Sequence, residues 1–283
     1  MKRIFVFPGQ GSQKKGMGQG LFQQFPEFTA LADATLGYSI EQLCLEDPLN
    51  QLNNTAFTQP ALYTVNCLSH LKEVAQSGLK PDFAAGHSLG EYSALFAAEA
   101  FDFTVGLNLV KKRGELMSQA TEGAMAAILG LQPDKVRQLL KSPALADAHI
   151  ANLNSPQQTV ISGKPEALSQ AKTIFESAGA QLFTPLKVSG AFHSPLMQKA
   201  AEAFAKYLEP FEFSPPKIPV IANTTAQPHR HEDIRKNLAR QITLPVRWSE
   251  GIQLLLQQPD PQFSEIGPGK VLTGLIRQIQ SAA

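Results

Sequence analysis

A serine set between two glycines is the residue of this sequence best placed for chemistry. The pentapeptide Gly86-His87-Ser88-Leu89-Gly90 follows a short apolar run and precedes a stretch rich in helix-forming residues at 91–100. The order strand, tight turn, helix is typical of the G-x-S-x-G nucleophile elbow, because small neighbours allow the turn that exposes the serine hydroxyl. We therefore predict Ser88 as a nucleophile, with the backbone N–H of Leu89 donating to an oxyanion.

A serine nucleophile needs a base, and six histidines are available. His193 follows a predicted strand, on a loop that could reach the elbow, although its position fits a structural role equally well. We predict that His87 points away from the serine, and that His229 and His231, in a polar loop, are solvated. No acidic residue stands at a clear strand end between Ser88 and His193, so a backbone carbonyl could orient the imidazole instead.

An arginine lies within the apolar face of a predicted helix. Residues 107–120 have helical spacing, and Arg113 falls near the middle of their apolar face. An arginine in that position is costly unless an anion pairs with it. Two interpretations remain open, an internal salt bridge to a protein carboxylate and a fork for the carboxylate of a substrate, which the planar guanidinium suits.

The glycine-rich loop Pro8-Gly9-Gln10-Gly11-Ser12-Gln13 is the remaining candidate for chemistry. It lacks the lysine of a phosphate-binding loop and does not fit the dinucleotide fingerprint. It is therefore interpreted either as a tight turn or as the source of a second oxyanion donor.

The elements around these residues indicate an α/β fold. We predict strands at 4–7, 83–86, 218–223 and 263–266, and helices at 58–75, 91–100, 107–120 and 271–279. Alternating elements favour a mainly parallel sheet covered on both faces, here a hydrolase-like core.

The middle of the chain has a different rhythm. Strands are predicted at 124–131 and 181–188, with two more within 150–162 joined by a turn at 154–156, and helices at 133–141 and 165–178. The order βαββαβ is the ferredoxin-like signature. We predict a ferredoxin-like small domain at 122–189, inserted in a large α/β domain formed by 1–121 and 190–283.

Composition restricts the function classes. The 283 residues are 43% hydrophobic and 17% charged, and the net charge of +1 does not indicate nucleic acid or a membrane surface as a partner. Two cysteines outside any CxxC pair give no metal or redox motif. The apolar run at the N-terminus stops at Pro8-Gly9, too early for a signal peptide. We predict a cytoplasmic protein that needs no metal or redox cofactor.

Taken together, these motifs resemble the malonyl-CoA:acyl carrier protein transacylase family over nearly the whole chain, and within it the free-standing, trans-acting acyltransferases of polyketide synthases. The matching segments follow one another in the expected order and spacing. They are residues 7–13, 58–62, 86–91, 112–117, 191–194 and 267–269.

The resemblance implies a role for each candidate residue. Ser88 would carry the acyl group and His193 would be its base. The backbone amides of Gln10 and Leu89 would form the oxyanion hole, and Arg113 would hold the malonyl carboxylate. The implied reaction is a ping-pong transfer from malonyl-CoA to the phosphopantetheine thiol of an acyl carrier protein.

Three further residues bear on the resemblance. Gln241 falls where the family supplies the main-chain carbonyl that orients the histidine. Phe192 is the residue associated with malonyl rather than methylmalonyl selection. The family's tetrad begins with histidine, whereas this sequence has Gly190 there.

Other functions remain open on the sequence alone. They are an acyl hydrolase that clears carriers, a transacylase of the fatty-acid pathway and a non-catalytic docking module. A carboxylate clamp argues against the hydrolase, and an intact set of Ser88, His193 and Arg113 argues against the docking module.

Overall fold

A computed structural model describes residues 1–188 and 190–282 of the chain. The first part comprises β1 (Lys2–Phe7), α1 (Leu21–Gln24), α2 (Pro26–Leu36), α3 (Ile40–Leu45), α4 (Thr55–Ser77), β2 (Phe83–Gly86), α5 (Gly90–Ala97) and α6 (Phe103–Ser118). The middle part comprises β3 (Ala124–Leu129), α7 (Pro133–Leu139), β4 (Ala148–Ser155), β5 (Gln158–Gly163), α8 (Pro165–Ser177) and β6 (Leu182–Pro185). The last part comprises α9 (Gln198–Leu208), β7 (Val220–Ile221), α10 (Ile234–Gln241), α11 (Trp248–Leu256), β8 (Pro261–Glu265) and α12 (Val271–Gln280).

A parallel sheet in the order β7-β2-β1-β8 forms the centre of the larger unit. Residues 4–7 of β1 form an unbroken apolar run because both faces of the sheet are covered there. Phe5 and Phe7 pack into one core cluster, whereas Ile4 and Val6 pack into a second cluster around Trp248. The predicted parallel α/β core is therefore confirmed.

The carboxyl ends of β1 and β2 meet at one edge of this sheet, since the two strands are parallel and Phe7 pairs with Gly86. The glycine-rich loop leaves β1 at that edge, and the elbow leaves β2 beside it. The carboxyl edge of such a sheet is where α/β proteins place their sites.

A second, antiparallel sheet has the order β4-β5-β3-β6, with side chains of α7 and α8 packed into its core. The βαββαβ order and the ferredoxin-like character are confirmed. The turn between β4 and β5 is shifted, because β4 continues through Ser155 and Gln158 begins β5. The proposed domain limits of 122 and 189 stay a prediction, and residue 189 lies outside the described residues.

Local capping explains why two helices begin earlier than predicted. Asp102 accepts a hydrogen bond from the N–H of Val105 at 2.7 Å, so α6 begins at Phe103 rather than at 107. Asn54 caps α4 in the same way, and this helix begins three residues before the predicted start at 58. Among the described residues, none of the helices has both the length and the apolar character needed to cross a bilayer.

Candidate active site

The predicted elbow is a strained turn held by the segment that follows β7. Ser88 has φ of +52°, a left-handed conformation that costs a non-glycine residue roughly 1–3 kcal/mol. Its N–H donates to Oδ1 of Asn223 at 2.7 Å, and the Asn223 amide donates to the carbonyl of Gly86 at 2.7 Å. A Cβ on Gly90 would lie 2.0 Å from the carbonyl oxygen of Phe7, so only glycine fits there.

The structure brings His193 to the serine. Its Nε2 lies 2.8 Å from the Ser88 Oγ, and its Nδ1 lies 2.7 Å from the main-chain carbonyl oxygen of Gln241. Because a carbonyl only accepts, Nδ1 carries the proton and Nε2 is free to accept the serine proton. His193 also has a positive φ, +59°, and its side chain is buried. This geometry is what a serine and its base require.

Arg113 reaches the same point from α6. Its Nη1 donates to Gln59 Oε1 at 2.9 Å, and its Nη2 donates to Gln241 Oε1 at 2.8 Å and to Ser88 Oγ at 3.2 Å. The residue is 1% exposed and its guanidinium lies 5.6 Å from the ring centre of Tyr92. No ion pair within 4.0 Å joins it to a carboxylate of the described residues. The interpretation as an internal salt bridge is therefore not realised.

The two predicted oxyanion donors lie on adjoining loops. A Cβ on Gly9 would lie 2.2 Å from the carbonyl oxygen of His87 and 3.6 Å from the backbone nitrogen of Leu89, so the two loops touch. Gln10 is anchored by its side chain, which donates to Thr55 Oγ1 at 3.1 Å. Within residues 1–188 and 190–282, neither the Gln10 nor the Leu89 backbone N–H donates a hydrogen bond. Both are available to an oxyanion.

A family model described as an acyl transferase domain matches residues 4–282. The chain belongs to this acyltransferase family.

Relatives of this acyltransferase include the polyketide biosynthesis malonyl CoA-acyl carrier protein transacylase PksC of Bacillus subtilis, which is 55% identical over 99% of the chain and 97% of the relative. A crystal structure of malonyl CoA-acyl carrier protein transacylase from Burkholderia pseudomallei superposes with a TM-score of 0.97 at 47% identity, covering 100% of the chain and 99% of the other. A malonyl-transacylase in complex with its type II polyketide synthase acyl-carrier protein superposes with a TM-score of 0.94 at 39% identity, covering 99% of the chain and 94% of the other.

Gly190, where the family tetrad has histidine, lies against the main chain that follows α6. A Cβ on Gly190 would lie 2.3 Å from the carbonyl oxygen of Ala120 and 3.1 Å from Cε1 of Phe192. The main chain just after α6 therefore occupies the space that a larger side chain at 190 would need. Phe192 itself is 5% exposed and packs into the large core cluster. Its role in donor selection stays a prediction.

Two sequence-based interpretations of histidines have opposite outcomes. His87 does point away from the serine, since its Nε2 lies 2.8 Å from Asn154 Oδ1 and its ring packs against Trp248. The prediction that His229 is solvated is wrong, because its side chain is fully buried with Nε2 2.6 Å from Glu91 Oε1. His231 is exposed, as predicted.

The acidic partner of His229 could have been found from the sequence. Glu91 lies in α5, where residues 90–95 are all buried, and it is the charged residue of an otherwise apolar and small-residue helix. That is the same signal that singled out Arg113, a charge where an apolar side chain is expected. The described residues contain no cluster of three or more histidine, cysteine or acidic side chains that could hold a metal ion.

Burial, and secondly the positive charge of Arg113, lowers the pKa of His193 from its ordinary value near 6.5 to about 3. Both causes disfavour the imidazolium. The acyltransferase therefore keeps its candidate base neutral, which is the form that accepts a proton.

The pH profile tests this electrostatic arrangement. In the wild type, kcat/KM for acetyl-CoA should decrease only at a pH below the ordinary range of histidine pKa values, because the pKa of His193 is lowered in the folded protein. Arg113→Ala should move that fall to higher pH, since it removes a positive charge and admits water, and both changes raise the histidine pKa. Lys112→Ala, which removes a partly exposed charge paired with Glu115 on the same helix, is the control. An acidic fall that is unmoved or shifted downward in Arg113→Ala would contradict the arrangement.

Proposed function

We propose that the protein transfers a malonyl group from malonyl-CoA, by way of a Ser88 ester, to the phosphopantetheine thiol of an acyl carrier protein in polyketide biosynthesis. The observation that carries this proposal is the position of Arg113. Its guanidinium is buried, has no carboxylate partner among the described side chains and donates to Ser88 Oγ at 3.2 Å. In a malonyl ester the free carboxylate lies two bonds beyond the ester carbonyl, within reach of the guanidinium.

The first half-reaction acylates the serine. His193 Nε2 accepts the proton of Ser88 Oγ while Oγ attacks the thioester carbonyl. The backbone amides of Gln10 and Leu89 stabilise the oxyanion, an effect worth about 3–4 kcal/mol for a donor of this kind. The tetrahedral intermediate collapses, the carbon–sulfur bond breaks, and the coenzyme A thiol leaves with the proton from His193.

The second half-reaction repeats these steps with the carrier. The phosphopantetheine thiol gives its proton to His193 Nε2 and attacks the Ser88 ester. The carbon–oxygen bond then breaks and Oγ regains the proton, which leaves malonyl on the carrier. One base serves both halves, because each requires a proton to be removed and returned at the same point.

A cleft beside His193 supports a route for the carrier arm. It has a volume of about 440 Å³, and its lining includes Pro195 and Leu244 near the histidine and Arg137 and Lys141 toward the antiparallel sheet. The two cationic side chains are exposed. We propose that the phosphopantetheine arm enters here and that an acidic carrier meets Arg137 and Lys141.

The relatives support the choice of pathway. PksC is named for polyketide biosynthesis, and one structural neighbour is a malonyl-transacylase bound to the acyl-carrier protein of a type II polyketide synthase. The fatty-acid pathway is the alternative, and it would use the same chemistry. We also propose a cytoplasmic location, in agreement with two buried free thiols.

Separate measurement of carrier loading and acid release tests the transferase against an editing hydrolase. With malonyl-CoA and a phosphopantetheinylated carrier, we expect malonyl-carrier to form much faster than free malonate, since Arg113 and Ser88 hold the ester for the thiol. The same carrier without its phosphopantetheine arm is the control and should remain unloaded. Free malonate released at one rate whether or not either carrier is present would favour the hydrolase.

A further inference from the structure

A buried polar network adjoins the candidate site. It begins with Glu91 and His229, whose side chains are 1% and 0% exposed and whose Oε1 and Nε2 atoms are 2.6 Å apart. These two residues are 138 positions apart in the chain. Neither takes part in the steps of acyl transfer, and a buried carboxylate is costly unless something requires it.

The hydrogen bonds identify the proton that His229 carries. The amide nitrogen of Asn237 is 3.3 Å from His229 Nδ1, and because that amide can only donate, Nδ1 is an acceptor. The imidazole proton is therefore on Nε2 and is donated to Glu91. Glu91 also accepts from the Gln241 side-chain amide and, at 3.3 Å, from the N–H of Asn223. Three donors thus converge on one carboxylate.

The side chain of Gln241 lies between a buried cation and this buried anion. Its Oε1 accepts from Arg113 Nη2 at 2.8 Å, and its Nε2 donates to Glu91 and, at 2.9 Å, to the carbonyl of Ser88. Rotating the amide by half a turn would set an NH₂ group against the guanidinium and an oxygen against the carboxylate. The two charges therefore permit a single orientation of the amide.

We propose that Glu91, supported by His229, is a positioning residue for donor selection. Its charge fixes the Gln241 amide, and that amide fixes the fork of Arg113 beside Ser88. Glu91 also provides the negative charge that compensates the guanidinium inside the protein, through one intervening amide. The inference rests on the proposed binding of the malonyl carboxylate by Arg113.

The proposal predicts the direction in which donor preference changes when the charge of Glu91 is removed. A direct repulsion between Glu91 and the substrate would predict the opposite direction. If Glu91 acted on the substrate only by repelling its carboxylate, removing the charge would favour malonyl-CoA. If Glu91 orients the clamp, removing the charge lets the Arg113 guanidinium leave its position beside Ser88. The kcat/KM for malonyl-CoA then falls, whereas that for acetyl-CoA does not. Acetyl-CoA has no free carboxylate and does not use the fork.

Glu91→Gln is the variant that separates these cases, since it keeps the shape and removes the charge. We expect the ratio of kcat/KM for malonyl-CoA to kcat/KM for acetyl-CoA to fall on the order of ten-fold, the effect of weakening a charge-assisted hydrogen bond. His229→Gln should change the ratio in the same direction by a smaller factor. Glu232→Gln, an exposed carboxylate near His229 in sequence, is the matched control and should leave the ratio unchanged.

A ratio of rate constants does not depend on the concentration of folded enzyme, so partial misfolding of a variant does not disturb it. Should Glu91→Gln be insoluble, His229→Gln decides by the same ratio. An unchanged or increased ratio in the soluble variant would overturn the inference. Arg113→Met separates the two hypotheses. If Arg113→Met loses the malonyl preference and Glu91→Gln keeps it, only the inference fails; if Arg113→Met keeps the preference, the proposed clamp fails.

Discussion

Ser88→Ala should form no covalent malonyl adduct and should lose carrier loading by a factor on the order of 10⁴ or more, the scale of removing a serine nucleophile elsewhere. The Ser88 Oγ lies 2.8 Å from His193 Nε2 and 3.2 Å from Arg113 Nη2. Among the described residues, no other hydroxyl makes hydrogen bonds with both of these side chains. Intact mass spectrometry after brief exposure to malonyl-CoA measures the adduct directly.

The strained backbone at this position supplies a control. Alanine retains the cost of a side chain at φ +52°, whereas glycine adopts that conformation freely. Ser88→Gly should therefore be equally inactive and at least as stable to thermal unfolding as Ser88→Ala. A malonyl adduct that persists in both variants would show that the nucleophile is a different residue.

Arg113→Ala should lose most malonyl transfer and much less activity toward acetyl-CoA. Truncating one partner of a buried charge pair costs about 2–5 kcal/mol, which corresponds to between about thirty-fold and several thousand-fold in kcat/KM. Arg113 is 1% exposed and has only neutral hydrogen-bond acceptors among the described side chains, so the malonyl carboxylate would be its single direct anionic partner.

The substitution also removes volume from the core, so a second variant is needed. Arg113→Met fills much of the space without charge and should show the same change in preference. Lys112→Ala, one position earlier on α6, should behave as the wild type toward both donors. Equal losses for malonyl-CoA and acetyl-CoA in both Arg113 variants would make the arginine a structural residue.

Much of this site could be predicted because its signals are local in the sequence. The elbow depends on glycines at 86 and 90, whose close contacts tolerate no Cβ. Arg113 was singled out by a charge on the apolar face of a helix, and its burial follows from that face. The carbonyl of Gln241 could be assigned only through the resemblance, because a main-chain oxygen leaves no mark in composition or periodicity.

The burial of His229 could not be predicted from local patterns. Residues 227–232 are polar, and polarity alone predicts solvation, yet His229 is buried by a contact with a helix 138 residues away. Its environment is set by the tertiary fold, in which Glu91 and Asn237 provide the hydrogen bonds that solvent would otherwise supply. The helices α4 and α6 begin earlier than predicted for a simpler reason, because Asn54 and Asp102 cap their first turns.

The most direct test of the account is a mixed-donor experiment read by intact mass. The protein is exposed briefly to equal concentrations of malonyl-CoA and acetyl-CoA, and a phosphopantetheinylated carrier is then added. We predict a predominantly malonyl adduct on Ser88 that disappears as malonyl-carrier appears. An acetyl adduct in excess, no adduct on the wild type, or a malonyl adduct lost only to free malonate would contradict the account.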